Sequence, residues 1–317
     1  MNRKNGLLAA FAAALLAGPI AAQAQYDYQQ IDYPSAPDTQ VFGVNDRGSV
    51  VGNGITDPDT FPFVYASKKG TFIDVAPLAG YSSTSVLGTN NRGDMVGSVV
   101  SLDGHTTSGF IRDNHGNFMV FDHPDAVSFT QARGVNNKGL VAGFRDDLDD
   151  QFAAENGFIY DSKKGTFTDI VPSLFTLAHG ITSRGDVVGS AVFFYADDPC
   201  PPSSVDVTVR YGWLRTVNGA VTYFDVNGRR TSARGISETG TIAGFVSDIG
   251  TIGIDNAKGF VVDLDGSQCQ SITIDDGDLL APTGAEITLL QGIKKTGEVV
   301  GWYFDGTNNH GFIATPQ

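Results

Sequence analysis

One ten-residue phrase recurs six times along the chain and limits the possible folds more than any other feature. The third copy, residues 134–143, reads GVNNKGLVAG. The copies begin at residues 43, 88, 134, 180, 235 and 292, so successive starts lie 45, 46, 46, 55 and 57 residues apart. A period of roughly 40–50 residues is typical of solenoids and propellers. The chain is therefore predicted to consist of six similar units.

Each phrase is predicted to form a hairpin of two short apolar strands. In the third copy Asn136 opens the turn and Gly139 closes it, which is the pattern of a type I turn. The closing residue is glycine in every copy: Gly48, Gly93, Gly139, Gly185, Gly240 and Gly297. The opening residue of the sixth copy is Lys294, which cannot accept a backbone N–H as the other five side chains can. The sixth turn is therefore expected to be the loosest.

A second glycine ends every phrase, inside what reads as a strand. These residues are Gly52, Gly97, Gly143, Gly189, Gly244 and Gly301. Glycine within a strand indicates either a bulge or a close approach of another backbone. Crowding near a central axis is one cause of such an approach, and the sequence leaves both explanations open.

A second hairpin follows each phrase and gives every unit four antiparallel strands. In the third unit its strands are Gly157–Tyr160 and Thr166–Ile170, rich in aromatic and β-branched residues. The sixth unit lacks its last strand, and residues 28–34 near the N-terminus supply a match to it. We therefore predict an all-β, six-bladed β-propeller of four-stranded antiparallel blades, with the ring closed by the N-terminal strand completing the last blade. The alternative is an open solenoid, which leaves strand edges exposed.

The repeat resembles that of the HAF-repeat family of extracellular bacterial proteins. The resemblance lies in the G-[VI]-N-x-x-G-x-V-V-G phrase and the Gly-Phe strand after it, and it covers nearly the whole chain after residue 24. The family has a His-Ala-Phe strand at this place. In this chain only the sixth unit keeps the histidine, as His310-Gly311-Phe312. The resemblance implies secretion and a propeller-like repeat. It implies no catalytic residues.

The N-terminus has the pattern of a secretory signal peptide at residues 1–24. Arg3 and Lys4 precede a short apolar run, and Ala22-Gln23-Ala24 forms a cleavage site near Ala24. Residues 25–317 are then predicted to be a single propeller domain, secreted to the periplasm or the exterior, monomeric and without a membrane span. Loss of the two cations takes the formal charge from −14 to −16. So acidic a chain is not expected to bind nucleic acid.

Two cysteines, Cys200 and Cys269, could form a disulfide in a secreted protein. Cys200 lies in the long connection between the second and third strands of unit four, and Cys269 begins the fourth strand of unit five. In regular four-stranded blades those places lie near opposite faces. The sequence therefore leaves their pairing open, as well as the role of the insertion at residues 191–210.

The connections between second and third strands all emerge on one face of a propeller, and each carries aspartate. The representative residues are Asp57, Asp103, Asp147, Asp198, Asp248 and Asp305. Such a ring could bind an extracellular ligand through its charge or supply oxygen ligands for Ca²⁺. Aspartate is also a favoured turn residue that keeps exposed loops solvated. No loop has the ordered spacing of a dedicated calcium site.

No catalytic motif is present and no unit carries a unique polar cluster, so the near-equivalent repeats favour a secreted, non-enzymatic propeller that binds a ligand, a glycan or a protein. One alternative is a propeller hydrolase or lactonase with a metal at the mouth of the central channel. That reading requires acidic residues on the innermost strands, just before each phrase. These positions carry Arg133, His179 and Arg234 but no acid. The acidic residue nearest to them in the sequence is Glu286. The other alternative is a structural surface or matrix protein.

Overall fold

A computed structural model describes residues 26–147, 154–170, 175–194, 197–200, 208–248 and 254–317. These residues form 24 strands in six small sheets, and no α-helix occurs among them. Consequently, none of this part of the chain contains a helix long and apolar enough to cross a membrane. The predicted signal peptide at residues 1–24 lies outside the described residues.

The strands are numbered in chain order. They are β1 (Tyr26–Ile31), β2 (Asp38–Val44), β3 (Ser49–Thr56), β4 (Asp59–Ala66), β5 (Thr71–Asp74), β6 (Ser83–Thr89), β7 (Met95–Val100), β8 (Thr107–Arg112), β9 (Phe118–Phe121), β10 (Thr130–Val135), β11 (Leu140–Asp147), β12 (Ala154–Asp161), β13 (Thr166–Asp169), β14 (Phe175–Ile181), β15 (Val187–Phe194), β16 (Thr208–Arg215), β17 (Val221–Val226), β18 (Arg230–Ile236), β19 (Ile242–Ser247), β20 (Lys258–Val262), β21 (Cys269–Ile272), β22 (Ile287–Ile293), β23 (Val299–Phe304) and β24 (Asn309–Pro316).

The six sheets are the blades of a β-propeller, which confirms the predicted fold. From the axis outward, blade one is β2-β3-β4-β5, blade two is β6-β7-β8-β9, blade three is β10-β11-β12-β13, blade four begins β14-β15-β16-β17, blade five is β18-β19-β20, and blade six is β22-β23-β24-β1. The N-terminal strand β1 pairs antiparallel with β24 along its whole length. The first strand of the chain therefore closes the ring, as the split sixth repeat predicts.

Blade five departs from the regular pattern because its fourth strand joins the neighbouring blade. Strand β21 pairs in parallel with β17, so blade four has five strands and blade five has three. Strand β20 is partly covered instead by Leu280, whose backbone exchanges two hydrogen bonds with Gly259 at 2.8 and 2.9 Å. The prediction of four strands in every blade is wrong at these two blades.

This exchange of β21 explains how the two cysteines meet. Cys269 opens β21 and so lies beside blade four, where Cys200 is also found. The structure joins the two in a disulfide with a Cα–Cα distance of 5.7 Å, within the usual range. The bridge therefore ties the connection after β15 to the strand donated by blade five.

The phrase turns form as expected and also link the blades to one another. All six closing glycines have φ between 84° and 109°, a region that side chains other than glycine rarely enter. The Asn45 side chain donates to Asn90 O at 2.9 Å, Asn90 donates to Asn136 O at 3.0 Å, and Asn136 donates to Thr182 O at 2.9 Å. Turn side chains thus hydrogen-bond from blade to blade around this face, which we call the turn face.

The sixth turn is not looser in its hydrogen bonds, contrary to the expectation from its lysine. Gly297 N donates to Lys294 O at 3.0 Å, as in the other five turns. Lys294 Nζ also pairs with Glu298 Oε1 at 2.9 Å. An ion pair within the turn replaces the side-chain acceptor that the other copies use.

The first and last glycines of each phrase are explained by close backbone contacts near the axis. A Cβ on the first glycine would meet the innermost strand of the next blade: at Gly235, for example, it would lie 2.9 Å from Gly292 Cα. A Cβ on the last glycine would overlap a carbonyl oxygen of the innermost strand of its own blade, as Gly97 would with Ser85 O. In five blades an aromatic ring of the third strand covers that last glycine as well. Crowding at the axis and bulging of the inner strand therefore act together.

We predict that Gly97→Ala destabilises the protein strongly, because its Cβ would overlap Ser85 O and lie 3.0 Å from the Phe110 ring. Overpacking of this kind costs about 3 kcal/mol of unfolding free energy. The matched control is Gly277→Ala, where no atom lies within 4 Å of the added Cβ. Urea unfolding measures both variants, and equal midpoints would contradict the crowding argument.

A second prediction concerns the disulfide, which closes a loop with a sequence separation of 69 residues. Loop-closure entropy predicts that the double variant Cys200→Ser/Cys269→Ser loses about 4 kcal/mol of unfolding free energy. Chemical denaturation of the wild type with and without reductant provides the comparison. Reductant should lower the wild type to the level of the double variant and leave that variant unchanged; no effect on either protein would refute the role of the bridge.

Candidate functional site in the central channel

Each innermost strand contains a β-bulge, and the six bulged residues line the central channel. The register shifts by one residue immediately before the first glycine of every phrase. The extra residues are Phe42, Leu87, Arg133, His179, Arg234 and Gln291. They surround an axial cavity of about 90 Å³, together with the glycine and the apolar residue or threonine that follow each of them. A bulge in each blade thus directs one side chain to the axis.

The ring of bulged residues is chemically divided. Blades one and two contribute Phe42 and Leu87, whereas blades three to six contribute only polar side chains. Arg133 reaches across this division, because its Cζ lies 6.0 Å from the Phe42 ring centroid and 5.4 Å from that of Phe144. Cation–π contacts attract the guanidinium but use none of its N–H groups. Arg133 therefore keeps donors available to a ligand in the channel.

Arg234 and His179 lie side by side on the polar half of the ring. Arg234 Nη1 is 3.4 Å from His179 Nδ1, and the Arg234 guanidinium lies 5.0 Å from the Phe245 ring centroid. His179 is 4% exposed, and its Nε2 has no hydrogen-bond partner. An arginine only donates, so Nδ1 accepts and a neutral His179 carries its proton on Nε2. This imidazole thus presents a buried N–H donor.

Two further charged residues lie nearer the opposite face, which we call the loop face because the second-to-third strand connections lie there. Glu155 on β12 pairs in register with Asp146, and Arg210 on β16 pairs with Val192. The two partners, Asp146 and Val192, each lie three residues beyond the glycine that ends the phrase, so Glu155 and Arg210 occupy equivalent positions in their blades. The other four blades carry Thr60, Thr107, Ala257 and Asn309 at this position. Only the adjacent blades three and four therefore place charge there.

The five residues Arg133, Glu155, His179, Arg210 and Arg234 form what we call the channel cluster. The three arginines act on Glu155 electrostatically, and all three lower the pKa of His179. Three guanidinium groups face one carboxylate in a largely buried environment. The Nε atoms of the arginines are buried and without a hydrogen-bond partner. The cluster is therefore rich in unused donors and in positive charge.

Burial is the main cause of every pKa shift in the channel cluster. It lowers the pKa of Arg133 to about 10, lowers the pKa values of Arg210 and Arg234, and lowers that of His179 well below 6.5. Burial raises the pKa of Glu155, and the three arginines oppose that rise. At neutral pH the site thus combines cationic donors, a neutral imidazole and a carboxylate of raised basicity.

The six aspartates predicted to form an acidic ligand face have other partners or lie apart. Asp103 and Asp305 accept backbone N–H groups of their own loops, and Asp248 binds Arg229 Nη2 at 2.8 Å. Asp147 pairs with Arg145 Nη1 at 3.2 Å, Asp198 accepts from Tyr211 Oη at 3.1 Å, and Asp57 is exposed beside Pro58. None belongs to a metal-sized group among the described residues. Calcium binding there stays a prediction that these contacts do not favour.

One group in the described part of the chain does have the spacing of a metal site: His123, Asp125 and Asp169, whose ligand atoms lie within 4.8 Å of one another. His123 Nε2 is 3.2 Å from Asp169 Oδ1, and His123 N donates to Thr130 Oγ1. In blade one, Tyr33 makes the same two contacts, with Asp74 and Thr39. Since a tyrosine occupies the equivalent place, we interpret His123 as a link between consecutive blades.

The channel cluster is not predicted by the sequence motifs. In the sequence, Arg133, His179 and Arg234 stand out only as positions without an acid, and Glu155 and Arg210 do not stand out at all. A usable signal was present in the repeat itself. The position before each phrase carries five different residue types in six copies whose neighbouring glycines do not vary. A variable residue beside invariant ones marks a place where the fold makes no demand on the side chain.

Comparison with known proteins shows the fold alone. No family model matches the chain, and no curated protein matches it, so the resemblance to HAF-repeat proteins stays a prediction. Solved structures of similar shape include a protein whose name proposes a gluconolactonase activity, with 12% identity, 92% of each chain covered and a TM-score of 0.47. Virginiamycin B lyase from Staphylococcus aureus has 11% identity over 92% of this chain and 100% of its own, with a TM-score of 0.47. The β-propeller domain of the Trilobed protease from Pyrococcus furiosus has 11% identity over 89% and 83%, also with a TM-score of 0.47.

The prediction of a non-enzymatic binding module is wrong. It depended on the view that no unit carries a distinctive polar cluster, whereas blades three to five carry the channel cluster. The alternative, a propeller hydrolase or lactonase, stays a proposal.

We predict that the free energy of unfolding falls as the pH is lowered from 7 to 5, in part through His123. Burial, and next Arg145, lower the pKa of His123 in the folded state below 6.5. The unfolded chain therefore binds a proton first as the pH falls, which favours unfolding; the contribution of His123 to stability is present above pH 6.5 and lost below it. Urea unfolding at both pH values should show a smaller pH dependence in His123→Gln. The exposed His115→Gln is the control, and an equal change in both variants would contradict this account.

Proposed function

We propose that this protein is a secreted propeller enzyme that hydrolyses an ester or lactone at the loop-face mouth of the central channel. The observation that carries the proposal is Glu155, a partly buried carboxylate of raised pKa among three arginines that make no ion pair with it within 4 Å. A structural salt bridge would pair the carboxylate directly. A base that must accept a proton during a reaction has to stay free to do so.

The strand directions support a joint role for Glu155 and the bulged residues. A Cβ on Gly157, two residues later on β12, would meet Thr176 and Ala178 of β14. Side chains two residues apart on a strand point to the same face. Glu155 therefore points toward the innermost strand of blade four, which carries His179.

The proposed reaction assigns one role to each kind of group. Glu155 removes a proton from a water molecule as its oxygen bonds to the acyl carbon. Arg133, Arg234 and the Nε2–H of His179 donate to the oxygen that becomes negative. The intermediate collapses, the bond to the alkoxide breaks, and the proton on Glu155 passes to that alkoxide. The products are a carboxylic acid, ionised at neutral pH, and an alcohol, which remain one molecule if the substrate is a lactone.

A metal at the channel mouth, as the hydrolase alternative supposed, does not fit these residues. Three guanidinium groups and an imidazole N–H repel a cation, and Glu155 is the one acid of the cluster. The innermost strands contribute no carboxylate to the axial cavity among the described residues. The proposed reaction therefore uses donors and a base supplied by the chain.

We predict that Glu155→Gln lowers kcat/KM for ester or lactone hydrolysis by about 10²–10⁴-fold, the usual contribution of a general base. A panel of aryl esters and lactones, with and without a carboxylate substituent, serves as the assay. Asp263→Asn, an exposed carboxylate of blade five, is the matched control and should keep full activity.

The pH profile gives a second measurement of the same assignment. Because Glu155 must be ionised to act and its pKa is raised above 4.5, wild-type kcat/KM should fall on the acidic side at a pH above 4.5. No hydrolysis of any panel member by the wild type would overturn the proposed function. Full activity in Glu155→Gln would overturn the role of this residue.

A further inference from the structure

We infer that the channel is a binding site for a small carboxylate that carries an apolar body, such as an aryl or alkyl carboxylate. The inference deepens the proposed function, and it depends on that function only for the claim that the bound molecule is the substrate or product. The geometry of the site by itself argues for the chemistry of the ligand.

The first argument is the number of donors without partners. Buried polar groups are almost always hydrogen-bonded, and each unpaired one is costly. Here the Nε atoms of Arg133, Arg210 and Arg234 and the Nε2 of His179 are all buried without a partner. These four atoms lie on three consecutive blades around one channel. A single bound anion would satisfy donors that the protein leaves open.

The second argument is charge. Among the described residues, Arg133, Arg210 and Arg234 act on Glu155, and Asp146 is the one further carboxylate that does so; cations therefore outnumber carboxylates at the cluster, although the whole chain has a formal net charge of −14. An uncompensated charge in a low-dielectric interior is strongly unfavourable. A ligand anion between the arginines supplies the missing negative charge, and planar guanidinium groups suit a carboxylate in particular.

The third argument is size. The axial cavity of about 90 Å³ is several times larger than the roughly 10–15 Å³ that holds one water molecule on the same measure. A small carboxylate therefore fits this space. The head group of the ligand therefore lies at the polar half of the ring that lines the cavity, which leaves the apolar half for the rest of the molecule.

The fourth argument is the apolar half of the ring. Phe42 and Leu87 face the channel opposite the polar blades, and Phe144 lies between Arg133 and His179. An inorganic anion makes no use of such a surface. A ligand with an apolar body buries it there and gains free energy in proportion to the area removed from water. The divided ring therefore favours an amphipathic carboxylate over phosphate or sulfate.

Isothermal titration calorimetry of the mature protein tests the inference with phenylacetate, inorganic phosphate and the neutral analogue 2-phenylethanol. We expect phenylacetate to bind at least tenfold more tightly than either of the other two. Arg133→Gln and Arg234→Gln should each weaken phenylacetate binding at least tenfold. Arg47→Gln, an exposed arginine in a phrase turn on the turn face, is the matched control and should bind like the wild type.

Arg133→Lys keeps the charge but loses the planar fork, so it should bind with intermediate affinity even if the glutamine variants fail to fold. Equal binding of phenylacetate and 2-phenylethanol would overturn the anion site, and so would wild-type affinity in Arg133→Lys and both glutamine variants. Phosphate binding as tight as that of phenylacetate would overturn the assignment of an amphipathic ligand.

The Glu155→Gln variant separates this inference from the proposed function. Removal of one negative charge from the cluster should leave phenylacetate binding unchanged or tighter, while hydrolysis is lost. Binding without hydrolysis of any ester or lactone by the wild type would refute the enzyme and support the carboxylate site. Hydrolysis without carboxylate binding would support the enzyme and refute the carboxylate site.

Discussion

The close approach of six backbone segments at the propeller axis is the constraint on which the rest of this structure depends. The first glycine of each phrase lies against the innermost strand of the next blade, so that a Cβ at Gly43 would be 3.1 Å from Gly88 Cα and one at Gly292 would be 3.3 Å from Val44 N. Packed interiors tolerate little added volume. Blades that carried side chains at these points would have to move outward, and the contacts between turns on the turn face would be lost.

The bulge in every innermost strand follows from this crowding. An extra residue before the first glycine bends the innermost strand. The glycine that ends each phrase lies on the second strand of the same blade and leaves room for the bulge beside it. The extra residue then has its backbone fixed by neighbours and its side chain directed to the axis. Six equivalent positions are created in this way. The fold therefore separates the residues that hold the ring from those that determine its chemistry.

Local rules in the sequence predicted those parts of the structure that local physics determines. A glycine such as Gly139 must adopt positive φ to close its turn, and the missing sixth-unit strand could only be supplied from the N-terminus; both features are present. The transfer of β21 to blade four could not be predicted in this way. It is a parallel pairing, and the strand has four residues, as do β5, β9 and β13, which stay in their own blades. The pairing of Cys200 with Cys269 depends on that transfer and was left open for the same reason.

The channel cluster could not be predicted for a different reason. Aspartates at loops such as that of Asp248 are numerous and are easily interpreted as a site. In the structure that residue is bound to Arg229 and to the Asn256 side chain. The residues that converge are cationic and come from separate units, one or two per blade. Only the register of β12 and β16 shows that Glu155 and Arg210 occupy equivalent places in adjacent blades.

The asymmetry of the channel cluster argues that it serves function rather than stability. Propeller symmetry offers six equivalent bulge positions, and apolar residues such as Phe42 and Leu87 fill two of them without electrostatic cost. Burial of three arginines around a single glutamate disfavours the folded state, which the lowered pKa of Arg133 reflects. Such electrostatic costs to the folded state are expected where a site has to bind a ligand. An anion that binds in the channel supplies negative charge that the cluster itself lacks. Because such a ligand binds only the folded protein, it is expected to stabilise the ring.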